Sequence, residues 1–510
     1  MSWRGLPVFG LFLFALAALM ALPTGLAASL GLWQEAQAFG FCVVISVVAG
    51  ALLSFAYYGR VSPTQAWAEF VTLTAVLVIG PALAALPIRF ILPQIGFEAA
   101  YFEMVSALTT TGASVFDRPS ELSEPMNLWR AIVGWFGGLI ALVMAFALLA
   151  PRNLGGFEVR SALDRGGAIG RLRGLPAWAG GVKREAGGDR IASAIRTIAP
   201  IYSALTALLA VGLAIVGQEP FKAICSAFSI VSTSGIAIEN EAMFADVGVR
   251  GEILVVFFFV AAASRHLYRP NRPLLEKFAR FRGDPEMKVL LVVVMGATAW
   301  LFLRHFYGSL DLPAEREIAG PVAAIWGGFF TTLSFAVTAG VVSDSWEAAR
   351  SWSGLGEPGL ILIGLAVMGG GVASTAGGVK LLRAYALYKH GEREMERLIR
   401  PSSIAGSGAV RRGLRREGAQ IAWVFLMLFL VTLGATMLAL SLTGLRFEPS
   451  LTAAVAALSN TGPVLKSAIP DASWLTTLTP EARAVLVAAM ILGRVETLAL
   501  VAMLNPANLR

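Results

Sequence analysis

Four short peptides in this 510-residue chain carry the groups best suited to chemistry: Thr109-Thr110-Thr111-Gly112, Ser232-Thr233-Ser234-Gly235, Ala336-Val337-Thr338-Ala339-Gly340 and Ser459-Asn460-Thr461-Gly462. Their closing glycines lie 123, 105 and 122 residues apart, the mark of one unit used four times. A small, polar, glycine-ended turn offers neutral oxygen donors and no fixed charge. Four of them suit a ring of backbone carbonyls around a monovalent cation, because glycine permits the φ > 0 geometry that turns carbonyls inward. Taken singly, each string could equally be a packing site for close helix contact; the argument rests on four at matching positions.

The elements that would hold these turns are legible around them. A proline precedes each turn, at Pro93, Pro220, Pro321 and Pro449, by 13 to 19 residues. Proline favours the first position of a helix, so each interval reads as a short re-entrant helix whose carbonyl end points at the turn. Its dipole adds negative potential where a cation would sit, and Glu219 and Glu448 complement the positive ends of two of them. Non-helical backbone at membrane depth survives only where protein buries it or where it lines a water-filled path. Four such pieces imply one axial pore.

The compartment follows from composition. Hydrophobic residues make up 56% of the chain and charged residues 15%, with a mean hydropathy of +0.70, which places it in a bilayer. Runs able to cross about 30 Å of hydrocarbon occupy 5–34, 36–59, 71–88, 131–151, 197–218, 358–379 and 418–445. Weaker ones near 251–265, 287–303 and 484–504 bring the expectation to ten spans. The first run reads as an uncleaved anchor more readily than as a signal peptide, given its length and the spans that follow. Lys and Arg concentrate in 152–196 (nine), 265–288 (seven) and 380–416 (ten). By the positive-inside rule these stretches are cytoplasmic, which puts both termini inside and the four turns outside, near Glu239, Glu241 and Asp246. A net charge of +8 therefore marks topology, and the chain lacks the soluble domain and interleaved aromatics that nucleic-acid binding would need. Cys42 and Cys225 sit in apolar surroundings and form no disulfide framework or thiolate site.

Two further features stand out. Arg494 interrupts an apolar run, where a guanidinium costs several kcal/mol unless it meets water or a partner; Glu496, two residues on, points to another face and is poorly placed to pair with it. Gly369-Gly370-Gly371-Val372-Ala373-Ser374-Thr375-Ala376-Gly377-Gly378 is too rich in glycine for a continuous helix, at about 1 kcal/mol per glycine relative to alanine. It reads as an intramembrane loop, with close helix packing as the alternative. A phosphate cradle is excluded, because Lys380 is followed by Leu381 and not by Ser or Thr.

With these residues in view, the chain resembles the Trk/Ktr/HKT superfamily of cation transporters, and within it the bacterial TrkH-type potassium uptake subunits. The likeness runs over nearly the whole chain. It is carried most by Ser106-Ala107-Leu108-Thr109-Thr110-Thr111-Gly112-Ala113, Asp284-Pro285-Glu286, the stretch from Gly369 to Lys380, and Gly493-Arg494-Val495-Glu496. It implies an all-α integral membrane fold: two leading helices (1–66), then four pseudo-fourfold span, pore helix, filter and span repeats at 67–191, 192–285, 286–417 and 418–510. It implies potassium coordination by main-chain oxygens at Thr110 and Thr111, Thr233 and Ser234, Thr338 and Ala339, and Asn460 and Thr461, closed by Gly112, Gly235, Gly340 and Gly462. In plant relatives a serine at the first filter glycine goes with sodium preference, so Gly112 favours potassium. Ser234-Gly235-Ile236 and Val341 depart from the family's usual double glycine and phenylalanine, which leaves a less selective sodium and potassium transporter open.

The resemblance also makes the 369–378 loop a gate beneath the filter, with Arg494 in the cavity as a barrier to cations; the alternative for Arg494 is a structural pair with another helix's carbonyl or carboxylate. It implies a homodimer in the bacterial inner membrane. It further implies a TrkA-like cytosolic ring that supplies nucleotide binding in trans, docking near loops 152–196 and 380–417; no basic loop here is long enough for a nucleotide-binding domain. For the same basic runs, attraction to anionic lipid headgroups is an equal reading. The ion-conducting subunit of an ATP-driven potassium pump shares the four-repeat plan, but the compact filters and Gly493-Arg494 favour the TrkH type. A carrier for an organic solute would show charged substrate groups at the midplane. A membrane-embedded enzyme would need paired acids or metal ligands, whereas His266, His305 and His390 lie far apart at expected helix ends.

Overall fold

The computed structural model describes residues 8–57, 66–150, 187–264, 267–268, 284–308, 320–355, 359–399, 409–468 and 478–496. Most of the 152–196 and 265–288 loops, and part of 380–417, lie outside the described residues, as does His266. Among the described residues all regular structure is helical. Two leading helices, α1 (Val8–Ser29) and α2 (Trp33–Ala56), pack against each other, and α1 also lies along the first repeat. That repeat comprises α3 (Ala66–Ala84), extended by the short helix Leu86–Ile91, then α4 (Phe97–Leu108) and α5 (Glu124–Met144). The second has α6 (Gly187–Val216), α7 (Pro220–Ser232) and α8 (Gly248–Ala262). The third has α9 (Pro285–Gly308), α10 (Pro321–Ala336), α11 (Gly359–Met368) and α12 (Leu381–Ile399). The fourth has α13 (Ala409–Leu442), α14 (Phe447–Leu458) and α15 (Pro480–Val495).

Seven described helices are long and apolar enough to cross a membrane. The weak 287–303 run is one of them, carried by Pro285–Phe306. The other three expected spans are shorter as helices. The described helix of the 251–265 run ends at Ala262, that of the 358–379 run stops at Met368 where glycines take over, and that of the 484–504 run ends at Val495, with 497–504 outside the described residues. Lipid-facing helices leave large apolar side chains uncovered, as α2 does with Phe41, Val48, Leu52 and Phe55. The central helix α5 is instead buried along nearly its whole length. It starts at a Ser123 cap whose Oγ accepts from the Met126 N–H, with Pro125 in the first turn, the arrangement that satisfies exposed amides at a helix start.

The four short helices α4, α7, α10 and α14 are the re-entrant elements, but proline does not start all of them. Pro220 and Pro321 occupy the first position of α7 and α10. Pro449 is the third residue of α14. Pro93 lies outside α4, which begins at Phe97 after a Gly96 cap in extended geometry; the Pro93 carbonyl instead accepts from Arg89 Nη1 at 2.8 Å. An acid still marks the positive end of three of the helices, at Glu98, Glu219 and Glu448.

Candidate functional site

All four short helices end in one hydrogen-bonded turn. A residue at or just after the helix cap enters the left-handed region, at Thr110 (φ 55°), Thr233 (55°), Thr338 (60°) and Asn460 (51°). The next N–H then turns back to the carbonyl five residues earlier: Thr111 to Ser106 (2.8 Å), Ser234 to Ser229 (3.0 Å), Ala339 to Ser334 (2.9 Å) and Thr461 to Ala456 (2.9 Å). This is the Schellman closure, which uses left-handed backbone to satisfy the last helical carbonyls. Glycine or asparagine normally fills that place; three β-branched threonines there carry strain of about 1–3 kcal/mol each. Gly112, Gly235 and Gly340 return to positive φ two residues later, so handedness alternates along each strand. Gly462 does not, a departure from the expected role of every closing glycine; Asn460 carries the only left-handed step of the fourth turn.

The four turns meet edge to edge. A Cβ at Gly112 would overlap the Ser234 carbonyl oxygen, one at Gly235 the Ala339 oxygen, one at Gly340 the Pro463 ring, and one at Gly462 the Gly112–Ala113 backbone. Strand one therefore touches two, two touches three, three touches four and four touches one. The ring closes within a single chain. Among the described residues no hydrogen bond reaches the carbonyl oxygens of Thr110, Thr233, Thr338 or Asn460, leaving four equivalent oxygens free. The next tier is uneven: the Thr111 carbonyl accepts from the Gly462 N–H and the Thr461 carbonyl from the Val464 N–H, while those of Ser234 and Ala339 are not engaged. On the side past the glycines lies a cavity of about 360 Å³ whose lining includes Gly112, Gly235, Gly340 and Gly462 together with Glu239 and Glu241.

Against the opposite side of the ring sits the glycine-rich stretch. Helix α11 stops at Met368 and α12 begins at Leu381; between them Gly369, Ala373, Gly378 and Lys380 take positive φ. Inside this loop Ser374 Oγ donates to the Gly371 carbonyl at 2.6 Å, and a Cβ at Gly370 would strike Ala376. The left-handed residues of two of the four turns reach it directly. Thr233 Oγ1 donates to Thr375 Oγ1 at 3.1 Å, and Thr338 Oγ1 accepts from the Gly377 N–H at 2.9 Å. A Cβ at Gly377 would overlap the Ser459 carbonyl of the fourth turn. The loop thus touches three of the four strands.

Arg494 meets the same loop. It lies in the last turn of α15, where the helix's negative end favours a cation, and its Nη1 donates to the Thr375 carbonyl at 2.7 Å. Gly493 brings it there, since a Cβ at that position would overlap the Leu458 carbonyl at the end of α14; Gly137 makes the same approach to Leu108 at the end of α4. The buried Nε and Nη2 of Arg494 find no hydrogen-bond partner among the described residues. Glu496 indeed turns away, to a buried 2.8 Å ion pair with Arg383, whose guanidinium stacks 3.7 Å over Phe425.

A family profile described as TrkH, cation transport protein, matches residues 35–506. This chain belongs to the TrkH family. Among curated relatives, the Trk system potassium uptake protein TrkH of Escherichia coli strain K12 is 27% identical over 507 residues, spanning 98% of this chain and 97% of that protein. The Trk system potassium uptake protein TrkI of Halomonas elongata is 28% identical over 509 residues, 98% and 96% respectively. The crystal structure of the potassium transporter TrkH from Vibrio parahaemolyticus superposes with a TM-score of 0.75 at 23% identity, covering all of both chains; at that identity it speaks for the shared fold. The TrkH family is one of transport proteins, so this is a membrane transporter and not an enzyme. No group of three or more His, Cys, Asp or Glu able to hold a metal occurs among the described residues. His390 falls within α12 and not at its end. Cys42 and Cys225 are buried and free.

Sequence reasoning passed over four charged residues that this fold buries, Glu103, Arg130, Glu252 and Arg383, and did not foresee the burial of Glu286 and Lys380. Glu103 and Arg130 each stand alone among apolar neighbours, which by itself flags an ionisable group with a task; Glu252, with Arg250 two residues before it, carries a weaker signal.

Proposed function

We propose that this chain carries potassium inward across the bacterial cytoplasmic membrane through a filter built from Thr110–Gly112, Thr233–Gly235, Thr338–Gly340 and Asn460–Gly462. The observation that carries the reading is the closed ring of four left-handed turns, each leaving one carbonyl free on a re-entrant helix whose dipole points at it. A potassium ion in transit would exchange its water for those oxygens. The potassium named in its relatives' titles supports this choice of cargo. The repeat boundaries at 67, 192, 286 and 418, cytoplasmic termini and an outer cavity at the filter mouth belong to the same reading.

The gate in this proposal is the 369–378 segment, held under the filter by Thr233, Thr338 and Arg494. Opening would break the bonds to Thr375 and Gly377 and withdraw the loop from the axis. Regulation comes in trans, from a TrkA-like cytosolic nucleotide-binding ring on the face that carries α12, and the transporter works as a homodimer in lipid.

The test is uptake of potassium, rubidium and sodium by a strain stripped of its own potassium systems, comparing wild type with Gly112→Ser. A Cβ at Gly112 overlaps the neighbouring Ser234 oxygen, so the substitution must push one strand from the ring and reduce discrimination against sodium. Failure of the wild-type chain to restore growth at low potassium would refute the assignment. Co-purification with a P-type ATPase would transfer the chain to the pump-subunit class.

A further inference from the structure

Three buried charged groups stand behind the outer ends of the filter without lining it. Glu103, in α4, accepts a 2.7 Å bond from Arg130 Nε, a 3.1 Å bond from Ser114 Oγ and a 2.9 Å bond from the Val115 N–H. Arg130, in α5, spends its remaining donors nearby: Nη1 on Asn127 Oδ1 at 3.0 Å and on the Ala237 carbonyl at 3.4 Å, Nη2 on Ser114 Oγ at 3.0 Å. Glu252 comes from α8, in the second repeat, but serves the third. Its carboxylate accepts from Ser343 Oγ at 2.9 Å, from the Asp344 N–H at 2.8 Å and from Trp326 Nε1 in α10.

Each carboxylate is almost wholly out of water, at 3% exposure for Glu103 and 0% for Glu252. A buried carboxylate persists only where its lone pairs are filled, and here the donors come from one kind of place. Ser114 and Val115 follow Gly112, and Ser343 and Asp344 follow Gly340. Strands one and three lie opposite each other in the ring of contacts, so the two carboxylates clamp opposing walls. Arg130 carries the first clamp across to Ala237, behind strand two. Strand four is tied otherwise, by Asn460 Nδ2 to Thr111 Oγ1 and to the Met490 carbonyl, both at 3.0 Å. Hydrogen bonds to charged groups are short and directional. A segment fixed at its outer end by two of them has little freedom to contract around a smaller ion.

We propose that the Glu103–Arg130 pair and Glu252 are positioning residues that hold opposite filter strands apart and thereby set the preference for potassium over sodium. The proposal rests on the filter reading above. It concerns how the ring keeps its size and assigns no ion contact to these side chains.

The experiment measures potassium and sodium uptake by the full-length protein in proteoliposomes, as a ratio, for wild type, Glu252→Gln and Ser343→Ala. The amide of Glu252→Gln replaces an acceptor oxygen with a donor, facing groups that themselves donate. The potassium-to-sodium ratio should fall by about tenfold, a shift of about 1.4 kcal/mol. Ser343→Ala removes one donor and should shift the ratio the same way by less. A merely structural role would lower uptake of both ions together and leave the ratio alone. If Glu252→Gln does not fold, Ser343→Ala decides the matter. Wild-type ratios in folded Ser343→Ala and Glu252→Gln would overturn the clamp while leaving the filter intact. A wild-type protein with no preference for potassium would overturn the filter reading itself.

Discussion

On the proposed reading, replacing Arg494 by alanine removes two restraints on ion flow at once, one a hydrogen bond seen in the structure and the other a fixed charge whose size is worked for a chosen separation. The first is the 2.7 Å bond from Nη1 to the Thr375 carbonyl, a charge-assisted contact of a kind worth about 1.5–3 kcal/mol. If that bond exists only with the loop seated, its loss shifts the seated-to-withdrawn equilibrium by about 10- to 150-fold at tenfold per 1.4 kcal/mol. The second is the fixed charge. A cation passing about 6 Å from the guanidinium meets a barrier of roughly 0.7 kcal/mol in water-like surroundings and roughly 3 kcal/mol at an effective dielectric of 20. Both act in one direction, so rubidium influx into proteoliposomes without any partner should rise by about tenfold or more. Two further variants separate the causes. Arg494→Gln keeps a donor and drops the charge; Arg494→Lys keeps the charge as a compact ammonium without the planar fork. Near-normal flux in Arg494→Gln would assign the restraint to the hydrogen bond, and raised flux there would assign it to the field. Unchanged or lower influx in folded Arg494→Ala would refute both.

Two other outcomes are expected. Gly377→Ala places a methyl against the Ser459 carbonyl; the loop must leave its seat, and basal influx should rise while the potassium-to-sodium ratio stays that of wild type, a change of ratio alone being the contrary result. Arg383→Met strands Glu496 as a buried unpaired carboxylate and loses the stack on Phe425; breaking such a pair costs about 3–5 kcal/mol, so thermal unfolding in detergent should fall well below wild type, and Arg383→Met with Glu496→Gln should recover part of the loss.

The all-helical plan and its four turns were open to sequence reading because their physics is local. Four polar turns after apolar runs, acids near helix starts, and glycines too dense for a helix at 369–378 each act within a few residues of chain, and the structure has them where those rules place them. The ends of elements were less legible. Pro93 reads like Pro220 and Pro321, yet Gly96 supplies the cap four residues later, and nothing in the proline itself distinguishes the cases. The fourth glycine misled as well: Asn460 takes the same left-handed step that the threonines take in the other turns, yet Gly462 does not follow with positive φ and presses against Gly112 and Ala113 instead. The second tier of carbonyls could not be foreseen at all, since the bond from Gly462 to Thr111 joins residues 351 apart in sequence.

The same limit explains why the buried charges escaped notice and the lone arginine did not. Arg494 is conspicuous because its chain neighbourhood offers no partner, and in the fold its single bond to Thr375 still leaves two donors unmatched. Glu103 and Arg130 stand 27 residues apart, Glu252 and Asp344 92 apart; each is as costly alone in an apolar run as Arg494, but the cost vanishes only on folding. The difference in their satisfaction divides their work. A fully bonded carboxylate is fixed and can fix what it touches, which suits the rigid walls of a filter. A guanidinium held by one bond next to a strained, glycine-rich loop can exchange that bond for water with little penalty, which suits a part that must move. On the proposed reading, selectivity and gating are separated along the axis by how completely the buried charges are paired, with the saturated clamps on one side of the ring and the half-paired arginine on the other.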